Sequence, residues 1–500
     1  MIPFLGPQEI VMPKSVHQSK RIIIIGAGMS GICMGMRLLR HGFESVEILE
    51  RSDDVGGTWL QNHYPNSGCD IPSWLYSFSF APNDKWSHKY ARQPEILEYF
   101  RRCASESGLL KNIRFGVSVT RAVYDDECLL WRVATDDGQH RECDILISAV
   151  GQLNQPRIPQ FEHSHLFDGD SWHSARWNHD IDLNGKRVAV IGNGASAIQF
   201  VPDVARQAER LFLFQRTPPW VDVVKNYRYP NWAKWLFRCV PGVAKVHRLC
   251  LFLECEIGIL VFKEGSLVNR LCERRLRRIL RTHVPPELLE QLTPTYPVGC
   301  KRILKSDGYL QALSEPNVQV VSEAVQDLNA EGVVSETQTV PVDAIIYGTG
   351  FEATNFLQPI SIVGRGGQSI QDSWSDRPRT LLGMTTPGFP NCFLLYGPNT
   401  NLGHNSIIAM VESQVRYVTD LIQHMQQTGS KEIEVRSEAV DAFDRELQQK
   451  LASSVWAGDC SSWYKTADGA IPNNWWGAVF TYLRRTRHID PSHYRFQGEG

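Results

Sequence analysis

The chain has 500 residues, a formal net charge of −2 and 14 tryptophans. That length suits two or three domains with sizeable cores, and the near-neutral charge argues against nucleic acid as a main partner. The 12 cysteines are scattered, with no Cys-x-x-Cys pair, which reads as reduced thiols in a cytoplasmic protein without a disulfide framework or a metal site. Residues 1–19 carry Pro3, Pro7 and Pro13 but no signal-peptide pattern, and read as a flexible leader.

The apolar run Ile22 to Ile25 feeds the turn Gly26-Ala27-Gly28-Met29-Ser30-Gly31. Ile32 to Arg40 then follows at helical period and ends at Gly42, a natural C-terminal cap, before a second strand, Val46 to Leu49. Glu50 stands twenty-four residues past Gly26. Glycine permits the tight turn and the close approach of a pyrophosphate, and the helix N-terminus offers N–H groups to it. A carboxylate at Glu50 accepts hydrogen bonds from ribose hydroxyls, so this copy suits FAD or NAD.

The pattern repeats after Val188 to Ile191. The second turn reads Gly192-Asn193-Gly194-Ala195-Ser196-Ala197, and Arg216 stands twenty-four residues past Gly192. Arginine attracts the 2′-phosphate that a carboxylate would repel, so this copy suits NADP. Pro202 should kink the second helix beyond the phosphate-binding turn. One glycine fingerprint alone fits an ordinary strand-to-helix turn. Two in register predict an α/β fold with two Rossmann-like domains.

Their limits follow from the chain order. The FAD-binding domain is expected over 20–155 and again over 335–500, joined by a linker over 156–184 to an NADP-binding domain over 185–334. Ile145 to Val150 before Gly151, and Val342 to Tyr347 before Gly348-Thr349-Gly350-Phe351, mark the crossings. A helical insertion is expected at about 225–295, with Trp232, Trp235, Leu236 and Phe237 and then a basic cluster at Arg274, Arg275, Arg277, Arg278 and Arg281. It reads first as an amphipathic hairpin with a solvated basic face, and second as an active-site cap or a peripheral membrane contact. Leu249 to Phe262, the most apolar stretch, carries Glu254 and Glu256 and is too short to be a transmembrane segment.

Three further stretches narrow the chemistry. Phe167-x-Gly169-x-x-x-His173-x-x-x-Trp177 joins the two units. On its own, His173 reads as a linker histidine with satisfied hydrogen bonds. Gly56-Gly57-Thr58-Trp59 leads through Tyr64-Pro65 to Asp70 and Tyr76, and Tyr296-Pro297-Val298-Gly299-Cys300-Lys301-Arg302 follows the insertion. Together these resemble the type I Baeyer–Villiger monooxygenases, a branch of the class B flavin-dependent monooxygenases. Gly388-Phe389-Pro390-Asn391, Gly397-Pro398-Asn399-Thr400 and the tail from Trp463-Tyr464 to Trp475-Trp476 continue the likeness, which covers roughly Lys20 to Tyr494. The family usually has Pro or Asp where Asn178 stands, and Gly or Met where Asn66 stands.

The resemblance implies FAD held by Gly26, Gly28, Gly31, Glu50, Gly57, Thr58, Trp59, Tyr64, Asp70, Tyr76 and Val119. It implies NADPH or NADP+ held by Gly192, Asn193, Gly194, Ala195, Ser196, Gln199, Arg216, Thr217 and Lys301. Arg302 is then the catalytic arginine, with Asp70 its partner beside the flavin, while Phe167, Gly169, His173 and Trp177 link the domains. The implied reaction consumes NADPH, forms a C4a-peroxyflavin with O2 and inserts one oxygen next to the carbonyl of a small-molecule ketone, giving an ester or lactone. Arg302 suits the negative charge that develops. Class B oxygenation of nitrogen or sulfur stands as the alternative. Less favoured are an FAD/NADPH reductase, for which Cys250 and Cys255 have a redox spacing but lie in the insertion, and a non-enzymatic NADPH-binding regulator.

Overall fold

The computed structural model describes residues 20–375, 377–458, 462–466 and 468–498. The expected leader lies outside the described residues.

Two parallel five-stranded sheets organise the chain. The first has the order Cys392–Leu394, Ile145–Ser148, Ile22–Ile25, Val46–Leu49, Ile113–Arg114. All four isoleucines of Ile22–Ile25 are buried, as a strand covered on both faces requires. The period of two sorts them: Ile22 and Ile24 enter a core built with the helices Met29–Arg40, Gln93–Glu106 and Ile407–Gln427. Ile23 and Ile25 face Ala122, Tyr124, Trp131 and Val133 of a four-stranded sheet on the other side.

The second sheet has the order Val318–Val321, Arg210–Phe214, Arg187–Ile191, Ala344–Tyr347, Asp170–His173. It repeats the plan, with Val188 and Val190 against a helical layer and Ala189 and Ile191 against a small antiparallel sheet that contributes Leu328, Val333 and Val340. Pro202 sits inside the helix Ala197–Gln207. Having no N–H to offer Ile198, it leaves that carbonyl to accept from the Ser306 hydroxyl at 3.4 Å.

Three expectations need correction. Ala344–Tyr347 lies between two strands of the second sheet, so that unit extends past the boundary expected at 335. Its apolar run finds its partners in Val188 to Ile191, which residue spacing alone did not reveal. Asp170–His173, placed in the linker, is likewise the edge strand of this sheet. Among the described residues ten cysteines are free, but Cys300 is disulfide-bonded, since spacing along a chain says nothing of a pairing made by the fold.

The chain crosses between the units twice, and the crossings pair. Pro156 and Phe351 form an antiparallel bridge, Arg157 N–H donates to Gly350 O at 2.9 Å and Glu352 N–H to Gln155 O at 2.9 Å. The insertion forms the helices Asn231–Cys239, Val243–Ile257, Leu267–His283 and Leu289–Leu292.

Gly31 shows how tightly the first turn is built. A β-carbon there would lie 1.9 Å from the Gly26 carbonyl oxygen. Gly31→Ala is expected to cost about 3 kcal/mol or more of stability by overpacking and to lose bound flavin. A thermal melt and the yellow absorbance of the purified variant check both.

Candidate active site

The helix Met29–Arg40 starts at Gly28 with no side-chain cap and no acidic residue in its first turn, so its leading N–H groups are left for an anion. Gly26 holds a left-handed φ of 101°. A β-carbon on Gly57 would lie 2.9 Å from the Gly28 Cα, so two glycines face each other across a slot only backbone can line. The buried Glu50 accepts from Ala27 N–H at 2.6 Å and Ser52 N–H at 2.8 Å. Each oxygen keeps a second lone pair for a ribose hydroxyl.

The slot opens into a cavity of about 390 Å³ between the units. Gly26, Gly28, Glu50, Gly57, Thr58, Trp59, Tyr64, Asp70, Tyr76 and Val119 line it from the first unit, and Ala195, Ser196, Gln199 and Arg302 from the second. Gly31 lies behind the turn instead. Arg302 Nη2 reaches Asp70 Oδ1 at 2.5 Å, and Lys305 Nζ donates to Asp70 O at 3.1 Å. The Asp70 charge raises the already high pKa of the Arg302 guanidinium, so it is a cation at every working pH. Trp59 Nε1 donates to the Tyr76 hydroxyl at 3.0 Å.

Near Arg302, Tyr396 escaped the sequence reading, and Tyr464 was named only as part of the family-like tail, with no role. Tyr396 lines the cavity in a left-handed conformation, φ 56°, and its hydroxyl donates to Asn401 Oδ1 at 2.7 Å. The buried Tyr464 hydroxyl has no hydrogen-bond partner among the described residues, lies within the field of Arg302 and is pushed up to about 12 by burial. The motif Gly397-Pro398-Asn399-Thr400 begins one residue past Tyr396, and a tyrosine closing an apolar strand carries no signal of its own.

The second turn is built like the first. Gly192 has φ 102°, and the helix Ala197–Gln207 has no side-chain cap. Asn193 Nδ2 donates to Gln215 Oε1 and to Thr217 O, both at 2.8 Å, which fixes the stretch carrying Arg216. Lys301 Nζ donates to Thr217 Oγ1 at 2.7 Å. Burial, and then the charge of Arg216, lower the Lys301 pKa. Two cations brought this close suit a phosphate between them. Gly192, Asn193, Gly194, Arg216, Thr217 and Lys301 stand outside the enclosed cavity. The Gln199 amide is engaged across the units: its oxygen accepts from the Tyr64 hydroxyl at 3.1 Å and Gly68 N–H at 3.2 Å, and its nitrogen donates to Gly68 O at 3.0 Å.

The joining residues pack rather than line the cavity. Phe167 packs against the second unit's core, and a β-carbon on Gly169 would meet Asp343 O at 2.5 Å. Trp177 packs at a tilt against Phe200, with ring centres 5.1 Å apart, and its ring centre lies 6.5 Å from that of Tyr64. The buried His173 accepts from Ala175 N–H through Nδ1 at 3.1 Å, so Nε2 carries the proton and donates to Gly350 O at 3.0 Å. Burial lowers its pKa from 6.5 to about 4. Between those values the unfolded chain binds more protons than the native one, so His173 makes stability fall as pH drops from 6.5 towards 4, by about 3 kcal/mol in full. His173→Gln is expected to be less stable at neutral pH but to show a shallower acid limb in denaturant titrations.

Residues 19–363 match the flavin-binding monooxygenase-like family. A Baeyer-Villiger monooxygenase of Pseudomonas aeruginosa is 39% identical over 478 residues, covering 95% of this chain and 91% of that protein. One of Streptomyces coelicolor is 37% identical over 489 residues, covering 96% and 93%. The chain belongs to the flavin-binding monooxygenases, on their Baeyer–Villiger branch. This flavin monooxygenase also superimposes on the OTEMO complex with FAD and NADP at a TM-score of 0.86, with 27% identity, 96% of this chain and 99% of that one covered. It is an NADPH-dependent enzyme whose cofactors are FAD and NADP. No helix among its described residues is long and apolar enough to cross a membrane.

Proposed function

We propose that this enzyme oxidises a small ketone with O2 and NADPH, inserting one oxygen atom beside the carbonyl to give an ester or lactone, with water and NADP+ as the other products. The observation that carries the reading is the Arg302–Asp70 pair at 2.5 Å in the wall of the cavity between the two dinucleotide turns. Bound FAD, once reduced by NADPH, supplies the activation of O2. The FAD turn, with Glu50 and the Gly28–Gly57 slot, would hold that cofactor, and Gly28, Glu50 and Gly57 line the cavity. Arg216, Thr217 and Lys301 hold the 2′-phosphate of NADPH. Asp70 orients the Arg302 guanidinium, and Arg302 stabilises the negative charge that develops as the carbonyl is attacked. Trp59, Tyr76, Leu402 and Ile407 keep the cavity walls largely apolar and exclude water. His173 and Trp177 secure the joint between the units.

A panel of ketones and sulfides tests the reading, with NADPH and O2 consumption measured and products identified by mass. Ester or lactone formed in step with NADPH supports it. Sulfoxide alone, with ketones untouched, transfers the enzyme to the heteroatom-oxygenating class.

A further inference from the structure

The insertion's first two helices pack onto the first unit, while Leu267–His283 packs on Trp220 and Asp222 of the second. Arg238 Nε donates to Asp84 at 2.9 Å, Phe237 and Trp74 have ring centres 4.7 Å apart, and Glu256 accepts from Asn405, a cavity residue, at 2.8 Å. The insertion's outer side is bare. Trp232 and Trp235, one turn apart on Asn231–Cys239, are 67% and 60% exposed. Leu253 and Ile257 on Val243–Ile257, and Leu267 and Leu271 on Leu267–His283, are exposed as well. The spacing 267, 271, 274, 278, 281 keeps one helical face, which begins in leucine and continues as Arg274, Arg278 and Arg281. Those three arginines are exposed and make no ion pair among the described residues, whereas the acids Glu254 and Glu273 of these helices pair with Lys89 and Arg277.

We infer that this face docks the enzyme on the surface of an anionic lipid bilayer. Exposed tryptophans and leucines, with unpaired arginines continuing the leucine face of Leu267–His283, are the composition of an interfacial anchor: the apolar side chains enter the headgroup boundary and the arginines meet lipid phosphates. The chain as a whole carries −2, so attraction to such a surface comes from this patch and not from net charge. Leu253 and Ile257 of this surface stand on the same helix as Glu256, which holds a cavity residue. The inference does not depend on which substrate the enzyme oxidises.

Co-sedimentation of the FAD-loaded enzyme with vesicles tests it, using phosphatidylcholine alone and phosphatidylcholine with phosphatidylglycerol. Binding is expected to the anionic vesicles only, and to weaken with salt. Arg274→Ser, Arg278→Ser and Arg281→Ser together are expected to weaken it about a hundredfold. Trp232→Ser with Trp235→Ser is expected to weaken it about tenfold or more. Unchanged FAD content and NADPH oxidation show that both variants are folded. Absence of binding by the parent enzyme, or equal binding by parent and folded variants, overturns the inference. So does a dimer in sedimentation velocity that the tryptophan variant dissolves, which assigns the face to a second copy of the chain.

Discussion

Arg302→Ala is expected to retain FAD and to lose oxygenated product by a factor of about a hundred to a thousand, the range for removing a donor that stabilises developing negative charge. Among the residues lining the cavity only Arg51 and Arg302 are cations, and the exposed Arg51 is at the Glu50 end. Lys305 also reaches Asp70, but at the backbone oxygen and from outside the cavity lining, so it does not take the place of the guanidinium. Arg302→Lys should recover only part of the loss. A lysine is a single point charge, whereas the guanidinium can face Asp70 with one edge and the substrate with another. Because Asp70 raises the Arg302 pKa still further, the pH dependence of the parent enzyme should not report this group. Product yield per NADPH consumed is the measurement. Full product formation by the alanine variant removes Arg302 from its proposed role.

Arg216→Ala is expected to raise KM for NADPH by about ten- to a hundredfold, the loss of a strong charge-assisted contact, with little change in kcat. KM for NADH should hardly move, because NADH carries no phosphate at that position. Lys301, bonded to Thr217 and crowded by Arg216, predicts a similar but smaller discrimination for Lys301→Ala. Equal effects on both nucleotides would withdraw the 2′-phosphate assignment.

Much of this was legible in the sequence because it is local. A strand, a glycine turn, a helix and the acid or base ending the next strand lie within about thirty residues, so spacing alone placed Glu50 and Arg216 on their turns. Asp70 and Arg302, 232 positions apart, were named and paired from family-like stretches, and the fold supplies the contact between them at 2.5 Å. What the sequence hid is what depends on neighbours distant in the chain. The apolar run Ala344–Tyr347 could have closed either unit, and only its pairing with Arg187–Ile191 decides. Gln199 stands one turn into the second helix, where a cofactor contact is the natural reading. It lines the cavity, and its amide also straps Tyr64 and Gly68, which spacing could not show. Tyr396 belongs to no fingerprint and Tyr464 only to the family-like tail, and both gain meaning from lying near Arg302.

The paired crossings have a mechanical consequence. A single linker tolerates added residues at small entropic cost. Here Arg157 bonds Gly350, Glu352 bonds Gln155, and His173 holds the same Gly350 from a third segment. The units are joined by a short two-stranded ribbon whose strands cannot lengthen independently. A residue inserted into either strand would put it out of step with the other and break hydrogen bonds on both. The connection therefore behaves as a measured part, and natural variation in its length should come, if at all, as matched changes in both strands.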